Sequence, residues 1–232
     1  MEAVVFDMDG VIFDTERLVL EGWAETGKKH GIEGTDAVCR QCLGTTYEVS
    51  RQIFLDHYGE DFPYETYKEE MRAYFYRAIE KEVPLKPGIR EVLEYLKKEG
   101  FRIGLASSTR REAVLSELDQ DGLTGYFDVV IGGDLLKRSK PEPDIYLMAC
   151  RELGVEPVQA YAIEDSYNGI RSAHAAGMHP IMVPDLMPPT EEMREKSVVI
   201  CDNLQEAQKF IEKMRKNNEK QLQYQKILKN IS

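Results

Sequence analysis

A buried strand that ends in two acidic residues is the feature of this sequence that most limits its possible folds. Residues 4–6 are Val-Val-Phe, a short apolar run typical of a buried strand. Asp7 and Asp9 follow at alternate positions, so in an extended segment both side chains point to the same face. Neighbouring carboxylates at the end of a buried strand repel each other unless a cation lies between them. Mg²⁺, a hard cation that prefers oxygen ligands, suits that position, and Gly10 permits a turn directly after the pair.

Beyond residue 88, short apolar runs that indicate strands alternate with segments in which apolar residues recur at helical spacing. The helix predicted over residues 89–98 has an apolar face and ends before Gly100. Thr109 and Glu112 have the spacing of a capping box, which predicts the start of another helix. Strands that alternate with helices predict a parallel sheet with helices on both faces, an α/β fold with a Rossmann-like core. The predicted strands after the first one cover residues 101–106, 127–131, 161–163, 180–183 and 198–200.

A long segment between the first two strands shows helical patterns alone. Apolar and aromatic residues recur there at helical spacing, and glycines and a proline separate about four predicted helices. The aromatic residues of this segment are expected to form a packed core. We therefore expect a catalytic core of residues 1–15 and 83–232 with an inserted α-helical cap domain of residues 16–82.

Polar side chains follow three of the predicted strands at the point where each strand ends. Besides the first acidic pair, these are Ser107 with Ser108 and Glu164 with Asp165, and Lys140 lies in a loop after a strand. Ligands of parallel α/β sheets bind beyond the carboxyl ends of the strands. The positions of these residues therefore predict one shared site.

Charge and composition exclude several classes of function. The formal net charge of −11 argues against nonspecific nucleic-acid binding. No stretch approaches the length of a membrane span, and the N-terminus lacks a signal-peptide pattern, so we expect a cytoplasmic protein without a membrane or nucleic-acid partner. The four cysteines are too few and too scattered for a disulfide framework, and the CxxC pattern of Cys39 and Cys42 lacks the second pair of a zinc site. A monomer is the default expectation.

Four motifs in this sequence resemble those of the haloacid dehalogenase-like hydrolases. The string Asp-x-Asp-Gly-Val-x-x-Asp-Thr at residues 7–15 resembles the first motif of the branch that contains phosphatases and phosphomutases with a helical cap. The other three follow in order and at family-like spacing: Leu-Ala-Ser-Ser at 105–108, Ser-Lys-Pro-Glu-Pro-Asp at 139–144, and Ile-Glu-Asp-Ser-Tyr-Asn-Gly-Ile at 163–170. The resemblance implies the same α/β core and an inserted cap.

The resemblance also implies a role for each motif residue. Asp7 matches the nucleophile that forms an aspartyl-phosphate, and Asp9 matches the general acid/base whose backbone carbonyl also binds Mg²⁺. Ser107 matches the phosphate-binding residue of the second motif, with Ser108 beside it. Lys140 matches the lysine that bridges nucleophile and phosphate. Attack of a carboxylate on phosphorus needs a metal, donors to the phosphoryl oxygens and an acid for the leaving group, and these residues supply a candidate for each need.

The metal and substrate contacts are implied in the same way. Asp165 matches a Mg²⁺ ligand and Glu164 a weaker one, in addition to Asp7 and Asp9. Thr15 matches a hinge position between core and cap. The cap should close over the site, and residues from Gly44 to Tyr47 are expected to contact the leaving group.

Two cap positions bear on the choice between hydrolase and mutase. Phosphosugar mutases resembling beta-phosphoglucomutase carry a histidine where this chain has Val19, and an arginine where it has Tyr47. The loss of a cationic clamp matters for an enzyme that must hold a bisphosphate in two orientations. The leading hypothesis is therefore a Mg²⁺-dependent phosphatase of a small phosphorylated metabolite such as a sugar phosphate. A beta-phosphoglucomutase-like mutase is the alternative, and a noncatalytic regulator that keeps the fold is the third.

Overall fold

The computed structural model describes residues 1–42, 47–80 and 83–231, and the side chains of these residues up to 218 and at 220. Within these ranges, six parallel strands form one sheet in the order β3-β2-β1-β4-β5-β6. The chain runs outward from β1 through β2 to β3 and then returns to β4 on the other side of β1. β1 is thus the point where the strand order reverses, which is where α/β sheets bind ligands. The strands are β1 (Ala3–Phe6), β2 (Arg102–Ser107), β3 (Val129–Gly132), β4 (Ala160–Glu164), β5 (His179–Met182) and β6 (Val199–Ile200).

β1 is central because its side chains are buried on both faces of the sheet. Val4 and Phe6 belong to a cluster on one face, and Ala3 and Val5 to a cluster on the other, as the alternation of a strand requires. Ala3 pairs with Arg102 of β2 on one side and with β4 on the other. The residues directly after β1 therefore lie between the ends of β2 and β4.

Helices cover both faces of this sheet, which confirms the predicted α/β, Rossmann-like core with a helical cap. The helix predicted over residues 89–98 is present with those bounds, and its apolar face packs on the cluster around Phe6. The described helices are α1 (Thr15–His30), α2 (Thr35–Gln41), α3 (Tyr47–Tyr58), α4 (Tyr64–Ile79), α5 (Ile89–Lys98), α6 (Arg111–Gln120), α7 (Asp144–Leu153), α8 (Tyr167–Ala175), α9 (Glu191–Lys196) and α10 (Leu204–Ile231).

The first four helices pack around an aromatic cluster of their own. Trp23 of α1 is buried, and its ring centroid lies 4.3 Å from that of Phe54 and 5.8 Å from that of Tyr64. Stacked and tilted aromatic pairs of this kind add to the stability that burial alone provides. The described part of residues 16–82 therefore confirms the prediction of about four helices with an aromatic core. The exact boundaries of core and cap stay a prediction.

Two antiparallel segments connect the helical region with the sheet. Phe13 forms a bridge with Leu85, and the Lys86 amide donates a hydrogen bond to the Ile12 carbonyl. The Asp14 amide donates to Pro84 on the opposite segment. These contacts place the start of α1 directly beyond the residues that follow β1.

The N-terminal part of α10 packs on the sheet. Leu204, Ala207 and Ile211 are buried in the same cluster as Phe6. Among the described helices, none combines the length and apolar character that crossing a membrane would require.

Candidate active site

The ends of β1, β2 and β4 bring the predicted site residues together. Asp7 follows β1, Ser107 ends β2, and Glu164 ends β4 with Asp165 directly after it. All four are buried, with exposed fractions of 9% or less. Lys140 reaches this group from the loop before α7, and its side chain is 7% exposed.

The Lys140 ammonium is the centre of the hydrogen-bond network. Its Nζ atom lies 2.5 Å from Asp7 Oδ1, 2.6 Å from Glu164 Oε1 and 3.1 Å from the Ala106 carbonyl oxygen. Three donors of an ammonium thus meet three acceptors. Burial opposes the charge of Lys140, but Asp7 and Glu164 hold its pKa above the usual value. Lys140 therefore stays protonated and fixes one oxygen of Asp7, which leaves the other for a ligand.

Glu164 has both carboxylate oxygens in use. Its Oε1 accepts a 2.8 Å hydrogen bond from the Tyr146 hydroxyl in addition to that from Lys140, and its Oε2 accepts from the Ser166 hydroxyl and amide. A Cβ at Gly169 would lie 1.8 Å from the Glu164 carboxyl carbon, so only glycine leaves room for this arrangement. Glu164 therefore orients Lys140, which is a more constrained role than that of a free metal ligand.

Asp165 presents the opposite case, a buried carboxylate that accepts no hydrogen bond from the described residues. It is 5% exposed, and burial raises its pKa well above the usual value, with Glu164 and Asp7 adding to the effect. Gly10 permits this close packing, because its φ is +79° and a Cβ there would lie 2.3 Å from Asp165 Oδ2. An unpaired buried charge is costly unless a cation compensates it. The Asp165 carboxylate is therefore suited to a metal.

The carboxylates fit a single divalent ion. Oxygen atoms of Asp7, Glu164 and Asp165 lie within 4.8 Å of one another. Mg²⁺ holds its oxygen ligands at about 2.0–2.1 Å, so ligands of one ion lie within about 4 Å of each other. Since Glu164 is engaged by its hydrogen bonds, Asp7 and Asp165 are the better candidates. The Asp9 side chain is not part of this group, and the resemblance assigns only its backbone carbonyl to the metal.

Asp9 is held by two threonine hydroxyls. Thr15 Oγ1 donates to Asp9 Oδ1 at 2.6 Å, and Thr109 Oγ1 lies 3.4 Å from Asp9 Oδ2. Burial raises the pKa of Asp9, while the hydrogen bond from Thr15 opposes this rise. A carboxyl group with a raised pKa can donate and accept protons nearer neutral pH. The predicted capping box of Thr109 and Glu112 is wrong, because α6 begins at Arg111 and the Thr109 hydroxyl points to Asp9 instead.

The remaining predicted substrate-binding residues are described only in part. Ser107 is buried and its hydroxyl accepts from the Thr109 amide, whereas Ser108 is exposed. Gly44 lies outside the described residues. Tyr47 begins α3, donates a hydrogen bond to Glu65, and is 43% exposed.

A second polar cluster beside the site was not predicted. Glu16, Asp165 and Asp185 have carboxylate oxygens within 4.8 Å of one another. Lys86 Nζ lies 2.6 Å from Asp185 Oδ1 and 3.8 Å from Asp14 Oδ1. Burial and the Asp185 charge raise the pKa of Glu16 to about 7. No local pattern marks these residues, because their contacts join segments far apart in the sequence.

Comparisons with known proteins all point to one protein family. The family model described as haloacid dehalogenase-like hydrolase matches residues 4–183, more than half of the chain. A phosphorylated carbohydrates phosphatase of Thermotoga maritima is 34% identical over 78% of this chain and 84% of its own length. Hexitol phosphatase B of Escherichia coli is 33% identical over 78% of this chain and 83% of its own. The crystal structure of a beta-phosphoglucomutase from Clostridium difficile has 27% identity and a TM-score of 0.70, covering 96% of this chain and 99% of its own.

Proposed function

This chain belongs to the haloacid dehalogenase-like hydrolases and is a phosphomonoester hydrolase, and we propose that it is a Mg²⁺-dependent phosphatase of small phosphorylated carbohydrates. The observation that carries the proposal is the Lys140 bridge between Asp7 and Glu164. Beside it lies the buried carboxylate of Asp165, which has no hydrogen-bond partner among the described residues. The carbohydrate class is supported by the names of two relatives, the phosphorylated carbohydrates phosphatase and hexitol phosphatase B.

In the proposed first step, the free oxygen of Asp7 attacks the substrate phosphorus. The bond from phosphorus to the ester oxygen breaks, and Asp9 gives that oxygen a proton, so the alcohol leaves neutral. Lys140 contacts Asp7, and Ser107 ends the neighbouring strand β2. Both are candidate donors to the phosphoryl oxygens, where charge spreads in the transition state. The product of this step is an aspartyl-phosphate on Asp7.

In the second step, water attacks the aspartyl-phosphate and the unprotonated Asp9 accepts its proton. Inorganic phosphate leaves and Asp7 is regenerated. Thr15 and Thr109 hold Asp9 in one orientation through both steps. A single carboxyl group can therefore serve as acid and then as base.

The metal has a defined place in this scheme. When bound, Mg²⁺ supplies positive charge that screens the anionic phosphate from the carboxylates. Asp7 and Asp165 would hold it, because their oxygens lie close enough for one ion and Asp165 has no other described partner. Glu164 keeps Lys140 in place instead.

The same site could serve a mutase, and two cap residues favour the phosphatase. Val19 and Tyr47 stand where beta-phosphoglucomutase-like mutases have a histidine and an arginine. A noncatalytic regulator is disfavoured because Asp7, Asp9, Lys140 and Asp165 are all present, and Lys140 contacts Asp7 directly.

The proposed function is tested by incubating the purified protein with Mg²⁺ and a panel of sugar phosphates, nucleotides and phosphoacids. Release of inorganic phosphate is followed beside conversion of beta-glucose 1-phosphate in the presence of a bisphosphate primer. We expect phosphate release from sugar or sugar-alcohol phosphates, and its loss in Asp7→Asn. Conversion to glucose 6-phosphate with little release would make the protein a mutase, and preference for nucleotides would overturn the carbohydrate class.

A further inference from the structure

A cavity of about 220 Å³ lies among the four cap helices. Thr15, Val19 and Trp23 recur at four-residue spacing, so they share one face of α1. Thr15 on this face contacts Asp9. Val19 and Trp23 line the cavity, about 6 and 12 Å further along the helix axis. The cavity therefore lies where the leaving group of a phosphate bound at Asp7 would extend.

The cavity wall is mostly aromatic and apolar. Trp23, Phe54 and Tyr64 contribute rings, and Met71 and Val19 contribute aliphatic surface. Sites for small organic molecules combine such walls with a few placed polar groups. The volume is below the range of about 300–1,000 Å³ typical of larger ligands. One monosaccharide-sized group fits this space better than a nucleotide does.

Lys68 of α4 is the one cationic side chain among the described residues that line this cavity. Its Nζ atom lies 4.2 Å from the ring centroid of Tyr47 and 5.7 Å from that of Tyr64, so it is held by cation–π contacts. Within the described residues, no carboxylate lies within 4.0 Å of this ammonium. Burial lowers the pKa of Lys68, with Glu65 opposing the change. A half-buried ammonium held by rings keeps its N–H donors for a ligand.

We propose that Lys68 is a specificity-determining residue that donates hydrogen bonds to hydroxyl groups of the substrate at the end remote from the phosphate. The inference rests on the proposed function and names the part of the carbohydrate that the cap recognises. A second phosphate is a poorer match, because no guanidinium among the described lining residues could bind it in a bidentate way. Tyr47 then acts through Lys68: its ring supports the ammonium, and it is absent from the described cavity lining.

The test compares Lys68→Met, Lys68→Arg and the control Lys29→Met on two kinds of substrate. Lys29 is an exposed cap lysine paired with Glu70 outside this cavity. For a hexose or hexitol phosphate, we expect Lys68→Met to lower kcat/KM by about 10- to 100-fold, mainly through KM. For p-nitrophenyl phosphate, whose leaving group carries no hydroxyls to contact, the change should stay within about threefold. Lys68→Arg should recover part of the loss, and Lys29→Met should leave both substrates unchanged.

Binding without turnover separates this inference from the proposed function. Trp23 is the single tryptophan of the chain and lines the cavity, so its fluorescence reports occupation directly. The Asp7→Asn protein is titrated with hexitol phosphate, with Lys68 or Lys29 also changed to Met. If Lys68→Met weakens the affinity of the Asp7→Asn protein tenfold or more and Lys29→Met does not, the result supports the inference. This holds even if the wild-type protein fails to hydrolyse the compound. Equal affinities in both variants, or an equal kinetic loss on both substrates, overturn it.

Discussion

The hydroxyl of Thr15 donates a 2.6 Å hydrogen bond to Asp9, and Thr15 is also the first residue of the first cap helix. One contact thus joins the proposed acid/base group to the segment that carries the cap. Movement of α1 relative to the sheet would change the environment of Asp9. The position of the cap and the chemistry at Asp9 are therefore physically coupled.

Replacing Thr15 with Val should lower kcat by about 10- to 100-fold, because a hydrogen bond to a charged group contributes about 1.5–3 kcal/mol. The Thr15 hydrogen bond opposes the rise in the pKa of Asp9, so its loss should raise that pKa further. In a pH–rate profile, the limb that reports Asp9 should move to higher pH. Thr15→Ser keeps the hydroxyl and should stay close to the wild type. Unchanged profiles for both variants would contradict the role given to this contact.

Tyr146 should matter for stability, since its hydroxyl fills an acceptor position of the fully buried Glu164. Tyr146→Phe removes that donor and leaves part of the carboxylate without a partner. We expect the free energy of unfolding to fall by about 1–3 kcal/mol, measured by urea denaturation. Tyr126→Phe is the matched control, because the Tyr126 hydroxyl makes only a 3.5 Å exposed contact with Glu94. Similar losses of unfolding free energy in both variants would show that the buried hydrogen bond contributes no more than the exposed one.

The sequence predicts the parts of this structure that depend on local patterns. The apolar spacing of the sequence predicts both β1 and α5. Because Asp7 comes directly after the apolar run of β1, the sequence also predicts its position at the end of a buried strand. The pairing of Lys140 with Asp7 spans 133 positions. Their positions beyond the strand ends predict one shared site, and the family resemblance adds the direct contact between them. Periodicity alone carries no information about such a contact.

The features that escaped prediction depend on the direction of side chains between distant elements. Lys86 and Asp185 are 99 positions apart, and they meet only because the segment that pairs with residues 12–14 lies beside the loop after β5. Thr109 has a sequence spacing that suits a helix cap, yet its hydroxyl lies near the half-buried Asp9. Local sequence rules indicate which hydrogen bonds a side chain can make, and the partner that it takes is set by the tertiary structure.

The Lys86–Asp185 pair should stabilise the connection between cap and core. Both side chains are largely buried, at 19% and 11% exposed, and Asp185 lies close to Glu16 and Asp165. Lys86→Met would leave these carboxylates without their neighbouring cation, so we expect a loss of about 3 kcal/mol in the free energy of unfolding.

A double-mutant cycle with Asp185→Asn isolates this interaction. Because Asp185→Asn removes the uncompensated charge, the double variant should lose less stability than the sum of the single variants. Strict additivity of the two single effects would mean that the ion pair contributes nothing of its own. Lys29→Met, which breaks an exposed cap pair with Glu70, should cost far less than Lys86→Met.

The response of stability to Mg²⁺ should depend on pH in a definite direction. Burial raises the pKa of Asp7 to about 8 in the metal-free protein, with Lys140 opposing and Glu164 adding to the effect. A folded-state pKa above the unfolded value, about 3.9, favours folding at low pH, and this contribution is lost as pH rises from about 4 to 8. Since Mg²⁺ binds only the deprotonated carboxylates, its stabilising effect should grow over the same interval. A concentration of 100 times Kd should add about 2.7 kcal/mol.

Thermal melts with and without Mg²⁺ at pH 5.5 and pH 8 measure this directly. We expect the increase in Tm to be larger at pH 8, and Asp165→Asn should abolish most of it, because Asp165 is the buried carboxylate that the ion would compensate. Asp134→Asn, which changes a carboxylate on the β3 side of the sheet, should keep the full response. An increase of equal size at both pH values would mean that the ion binds away from the buried carboxylates.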